Sequence, residues 1–147
     1  MTSARHTRRG RMLSRVLRWF GLNLLLLLGL VALWLFVAGL VLSSGDVAKI
    51  AAELPWATLL YFGSLLIPAV IFLTALAWLS ARLTPRPLRM VAVLMSPLIL
   101  LAFVPTTLAT SGIDDPLLYV SAGLTLSLAF GLLVRLPPPD LVSSTNA

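Results

Sequence analysis

The stretch "RRGRMLSRVLRWFGLNLLLLLGLVALWLFVAGLVLSSG", Arg8 to Gly45, decides the fold. Arginines crowd its first part, and from Trp19 to Gly45 no residue is charged. Such a run is either a secretory signal that is removed or a membrane helix that stays. A signal has an apolar core of about 7–15 residues followed by a small-residue cleavage site. Here the apolar run is 22 residues, counted from Leu22 to Ser43, and no good Ala-x-Ala site follows it. Arg8-Arg9 faintly resembles a twin-arginine signal, but Arg11 occupies the place where such signals carry a bulky apolar residue. The segment is expected to stay as helix one.

Composition points the same way. The chain is 59% apolar and 11% charged, with a mean hydropathy of +1.02. A soluble domain is nearer half apolar and about a quarter charged. Lipid is therefore expected to cover much of the surface, and 147 residues leave no room for a large extramembrane domain. The absence of cysteine excludes disulfides, thiolate metal sites and cysteine nucleophiles. Ten arginines against one lysine suggest GC-rich codon usage and a bacterial source.

A helix rises 1.5 Å per residue, so about 20 apolar residues cross roughly 30 Å of hydrocarbon. Four segments meet that length: about 19–42, 55–80, 88–109 and 116–136. None contains Asp, Glu, Lys or His, and their arginines lie only at the ends. The expected fold class is an all-α integral membrane protein with four transmembrane helices in an up-down bundle. A basic N-terminal segment, 1–18, precedes the bundle, and a proline-rich disordered tail, 137–147, follows it.

Orientation follows from the arginines. Arg5, Arg8, Arg9, Arg11, Arg15 and Arg18 precede helix one, Arg82, Arg86 and Arg89 join helices two and three, and Arg135 ends helix four. The other two loops hold Lys49 as their only base, with Asp46, Glu53, Asp114 and Asp115. The positive-inside rule puts both termini in the cytoplasm of a plasma membrane. Trp19 and Trp78 then fall at the inner boundary, and Trp56, Tyr61 and Tyr119 toward the outer one, as aromatic belts require. Trp34 lies well inside helix one and reads as a packing or lipid-facing aromatic.

The first outer loop carries Val47, Ile50, Ala51 and Leu54 at helical spacing. This predicts a short interfacial helix with Asp46 as N-cap, followed by Pro55 in the first turn of helix two. Asp115 and Pro116 repeat the device at helix four. Capping and orientation account for the four acids, so no metal site is expected. Pro85 and Pro87 block helix continuity in the cytoplasmic turn, which makes helices two and three antiparallel neighbours.

Several residues are candidates for function. Pro68, Pro97 and Pro105 remove backbone hydrogen bonds and can kink helices two and three. Broken helices build midplane sites in transporters, but proline is also common in membrane helices generally, and the structural reading is favoured. Ser64, Thr74, Ser96, Thr106 and Thr107 are placed to meet carbonyls freed nearby. Gly123, Ser127 and Gly131 recur at four-residue steps and form a small-residue face on helix four. It can face the chain's own helices or another subunit. Asn23 is able to hydrogen-bond across helices. Arg8, Arg11, Arg15 and Arg18 fall within an arc of about 80° at 100° per residue, a basic stripe suited to anionic lipid headgroups.

No catalytic motif is present. His6 is the only histidine, no nucleophile sits beside a base, and no glycine-rich phosphate loop is visible. No cofactor is expected, and nucleic-acid binding lacks a folded platform with interleaved aromatics. Ion-coupled transport usually needs an intramembrane ionisable group, whereas helix one offers only Asn23. The expectation is a non-enzymatic, multi-pass membrane protein whose partners are the bilayer and another membrane protein or itself. It would serve as an accessory subunit or assembly factor. The alternative is an oligomeric transporter or channel for a neutral or apolar solute.

Overall fold

The computed structural model describes residues 3–42, 46–101 and 116–138. These form four helices, α1 (Ser3–Leu42), α2 (Val47–Ser80), α3 (Pro85–Leu101) and α4 (Pro116–Leu133), with no strand among the described residues. Packing runs α1 on α2, α2 on α3, α3 on α4 and α4 back on α1, with α3 and α4 the most closely joined. Two helices are long and apolar enough to cross a membrane, over Gly10–Val41 of α1 and Val47–Ser80 of α2.

Much of the exterior of these two helices is apolar. Only 11% of the most apolar window of α1, and 28% of that of α2, is buried. Leu25, Leu33, Leu60 and Ile67 are all well exposed, as are Leu94 and Leu98 on α3. Water tolerates single exposed leucines but not a continuous apolar coat of this kind.

Helix ends differ from the sequence expectations in instructive ways. The 40 residues of α1 include the basic segment, which continues the helix instead of preceding it. Arg, Met and Leu are good helix formers, and nothing between Ser3 and Trp19 breaks the ladder. No separate interfacial helix precedes α2. Residues 47–54 form its first turns, and Pro55 lies inside the helix. Proline's fixed φ is helical, although it removes the bond that Ala51 would have accepted and its ring crowds that carbonyl. The preceding turns are held at both ends. The Asp46 carboxylate accepts from the Lys49 N–H at 3.4 Å, and buried Ile50 lies against Gly39, where a β-carbon would come within 3.1 Å of the isoleucine.

The α3 helix begins at Pro85, earlier than the expected 88, with Leu88 N–H donating to Thr84 O at 3.1 Å. The N–H groups of a first turn have no intrahelical acceptor, so Pro85 and Pro87 cost little there. The α4 helix, described over Pro116–Leu133, ends before the expected 136. Its last helical bond runs from Val134 N–H to Phe130 O at 2.8 Å. The Arg135 N–H turns to Asn23 instead, and Leu136 precedes a proline, which disfavours helical geometry.

The core lies where the four helices meet. Leu27 and Val31 of α1, Ala69, Phe72, Leu73 and Leu76 of α2, and Leu88 and Ala92 of α3 surround Phe130 and Val134. Phe72 and Phe130 meet with ring centroids 5.7 Å apart at 55°. The packed region extends past α4, since Pro137 is buried.

Candidate functional site

The most elaborate polar arrangement holds the end of α4. The last carbonyls of a helix have no intrahelical donor and must find one elsewhere. Here α1 and α3 supply it. The Asn23 side chain engages both backbone groups of Arg135: its Oδ1 accepts from the N–H at 2.8 Å, and its Nδ2 donates to the carbonyl at 3.3 Å. The same Nδ2 also donates to Trp19 O at 3.1 Å. The Trp19 indole N–H donates to Arg135 O at 2.7 Å. From α3, the Arg89 guanidinium donates to Leu132 O at 3.0 Å and Val134 O at 2.6 Å. A cation at a helix C-terminus also complements the helix dipole. Asn23 is fully buried, so its hydrogen bonds replace water completely.

Trp19 is 6% exposed and packs edge-on against Phe20, with centroids 5.0 Å apart at 86°, so it belongs to the packed core. Trp56 and Trp78, in contrast, are 79% and 57% exposed. The side chain of Tyr119 is outside the described residues.

A second polar layer joins α3 to α4. The buried Ser96 hydroxyl donates to Ser127 O at 2.7 Å, and Val93 O, the carbonyl that Pro97 leaves without its usual donor, lies 3.3 Å from the same oxygen. The Ser127 hydroxyl turns back to Leu124 O at 2.9 Å. Gly131 sits against this layer. A β-carbon there would overlap Ser96 Oγ and lie 3.1 Å from Ala92 O. Ser127 and Gly131 of the small-residue face are thus buried against α3 of the same chain, and Gly123 is half-buried on the same helix.

Pro68 is fully buried in α2, Pro97 is half-buried in α3, and Pro105 lies outside the described residues, as do Thr106, Thr107, Asp114 and Asp115. Ser64 and Thr74 bond to Tyr61 O at 2.7 Å and Val70 O at 2.8 Å, so neither meets the Ser64 carbonyl that Pro68 frees. Arg11, Arg15 and Arg18 are exposed along α1, and Arg8 is on the same helix with its side chain outside the described set.

Sequence reasoning found Asn23 and the α4 seam but missed Trp19 and Arg89 as donors. Trp19 carried a usable signal, because it stands four residues before Asn23 and so shares its helix face. Arg89 carried none. Among the described residues no group of three or more His, Cys, Asp or Glu is arranged to hold a metal. Comparison with known proteins gives no match: no family model, curated protein or solved structure is significantly similar to this chain.

Proposed function

We propose that this chain is a small four-span protein of a bacterial plasma membrane, with both termini in the cytoplasm. It works without catalysis as an accessory subunit or assembly factor of a larger membrane complex. One observation carries the reading: the polar groups and small residues of the interior hold the chain's own helices together, while small apolar surfaces remain outside. Asn23, Ser96 and Ser127 bond to backbone within the chain. Gly21 and Gly29 of α1 and Gly63 of α2 are exposed, with nothing within 4 Å of where a β-carbon would stand. Small residues let a partner helix approach closely in lipid.

Retention of α1 is part of the proposal. Its Trp19 and Asn23 hold the end of α4, so its removal would leave the Arg135 backbone unpaired. The arginine distribution supports the orientation, and the exposed Arg11, Arg15 and Arg18 suit anionic headgroups. Mild extraction followed by mass spectrometry tests the function. A stoichiometric membrane partner should co-purify, and Gly29→Leu or Gly63→Leu should release it without loss of helix content. Reporters fused to either terminus should be active only in the cytoplasm.

A second reading rests on Pro68, which is buried in the core rather than facing lipid. A proline there can mark a helix that rearranges around a neutral solute. Absence of any partner in several detergents, with solute flux by the purified chain that Pro68→Ala alters, would replace the first reading with this one.

A further inference from the structure

The turn between α2 and α3 holds Arg82, Arg86 and Arg89, and no acid lies between Glu53 and Asp114 in the sequence to neutralise them locally. Arg89 is engaged by the end of α4. Arg82 and Arg86 are exposed. The Arg82 guanidinium carbon lies 4.2 Å from the centroid of the exposed Trp78 ring. Trp78 is in the last turn of α2, directly after a long apolar run. The pair therefore stands at a membrane boundary whichever way the chain is oriented.

A guanidinium resting on an indole keeps its plane fixed, and its N–H groups remain available for a planar, bidentate acceptor. Phosphate is the acceptor abundant at this depth, and arginine binds it in that manner. Capping of α2 does not need Arg82, because backbone N–H groups already serve that end. Ala81 N–H reaches Trp78 O at 3.3 Å, and those of Arg82 and Leu83 each reach Leu79 O at 2.9 Å. We propose that Trp78, Arg82 and Arg86 form a binding site for the phosphate headgroup of an anionic phospholipid. The indole lies at the glycerol level, Arg82 holds the phosphate, and Arg86 adds charge from the start of α3. The proposal rests on the membrane reading above but not on its orientation.

The full chain in mild detergent, offered phosphatidylglycerol or phosphatidylcholine, tests the site by native mass spectrometry. Phosphatidylglycerol should be retained preferentially. Arg82→Gln and Trp78→Leu should each lower that retention about fivefold, matching the contribution of one arginine near a charged surface. Arg82→Lys, which keeps charge without the planar fork, should fall between, and Arg86→Gln should weaken retention with the turn otherwise intact. Lys49→Gln, an exposed cation at the opposite end of α2, should leave it unchanged. Equal retention of both lipids, or of phosphatidylglycerol by wild type and Arg82→Gln, overturns the site. So does an equal loss in Lys49→Gln, which means diffuse charge, or displacement by equimolar inorganic phosphate, which means a soluble ligand. Release of the chain from membranes by alkaline carbonate would instead overturn the membrane reading itself.

Discussion

Asn23 pairs with Arg135 as one backbone pairs with another, its amide accepting from the N–H and donating to the carbonyl of a residue 112 positions away. The pairing ends α4 and ties it to α1 in one step. Leucine at position 23 would fill the space but leave the part-buried Arg135 N–H without its acceptor, while Trp19 still serves the carbonyl. Asn23→Leu should therefore cost about 1–3 kcal/mol of stability, the penalty for orphaned buried polar groups. Denaturation by a graded anionic detergent in a mild one checks this. Trp19→Phe, which removes a single donor to the same carbonyl, should cost about 1 kcal/mol. A loss from Asn23→Leu no larger than from an exposed Leu→Ala change would deny the pairing its structural weight.

Gly131 packs against Ser96 where α4 meets α3. A methyl at position 131 overlaps a serine hydroxyl, which can rotate, and also presses on the Ala92 carbonyl, which cannot. Gly131→Ala should destabilise by about 1–3 kcal/mol, as overpacking does. Combining it with Ser96→Ala removes the hydroxyl overlap, so the two changes should be strongly non-additive. Additive losses would mean that the two residues do not share the contact.

The Arg89 guanidinium serves two carbonyls of a single helix end. Its loss should be felt locally. In Arg89→Met, amide hydrogen exchange should quicken at residues 130–135 and stay near wild type in α1. Arg89→Lys should recover part of the protection, since it keeps a cation near the dipole without the fork. Uniform acceleration along the chain would show that Arg89 supports the whole fold instead.

What could be read from the sequence was set by periodicity and charge, which act locally along the chain. The helical character of the described parts of all four segments and the Asp46 cap followed from such local signals. The small-residue face was visible as a pattern, yet its partner was not, because Ser96 and Ala92 contact it across a separation that no local rule reports. The partner of Trp19 was hidden for a related reason. An aromatic at the end of an apolar run suits a headgroup layer and a neighbouring helix alike, and only the fold shows that its N–H meets Arg135 O. The fate of Pro55 also depended on tertiary contacts, here those of Ile50 with Gly39.

Pro55 itself provides a last test. It sits on the exposed side of a continuous α2, where it removes the bond to the Ala51 carbonyl and its ring crowds that carbonyl. Pro55→Ala restores the donor without creating a cavity, since the ring is exposed. Amide exchange over residues 47–54 should slow about tenfold, a conservative share of the roughly 3 kcal/mol that interior proline can cost a helix. If those residues formed a separate interfacial helix joined at a proline hinge, the substitution would leave their exchange unchanged and Asp46 would cap an independent element. Gly39→Val offers the complementary change. It crowds Ile50 from the opposite helix, and should raise exchange over the same turns while leaving the α3–α4 seam undisturbed.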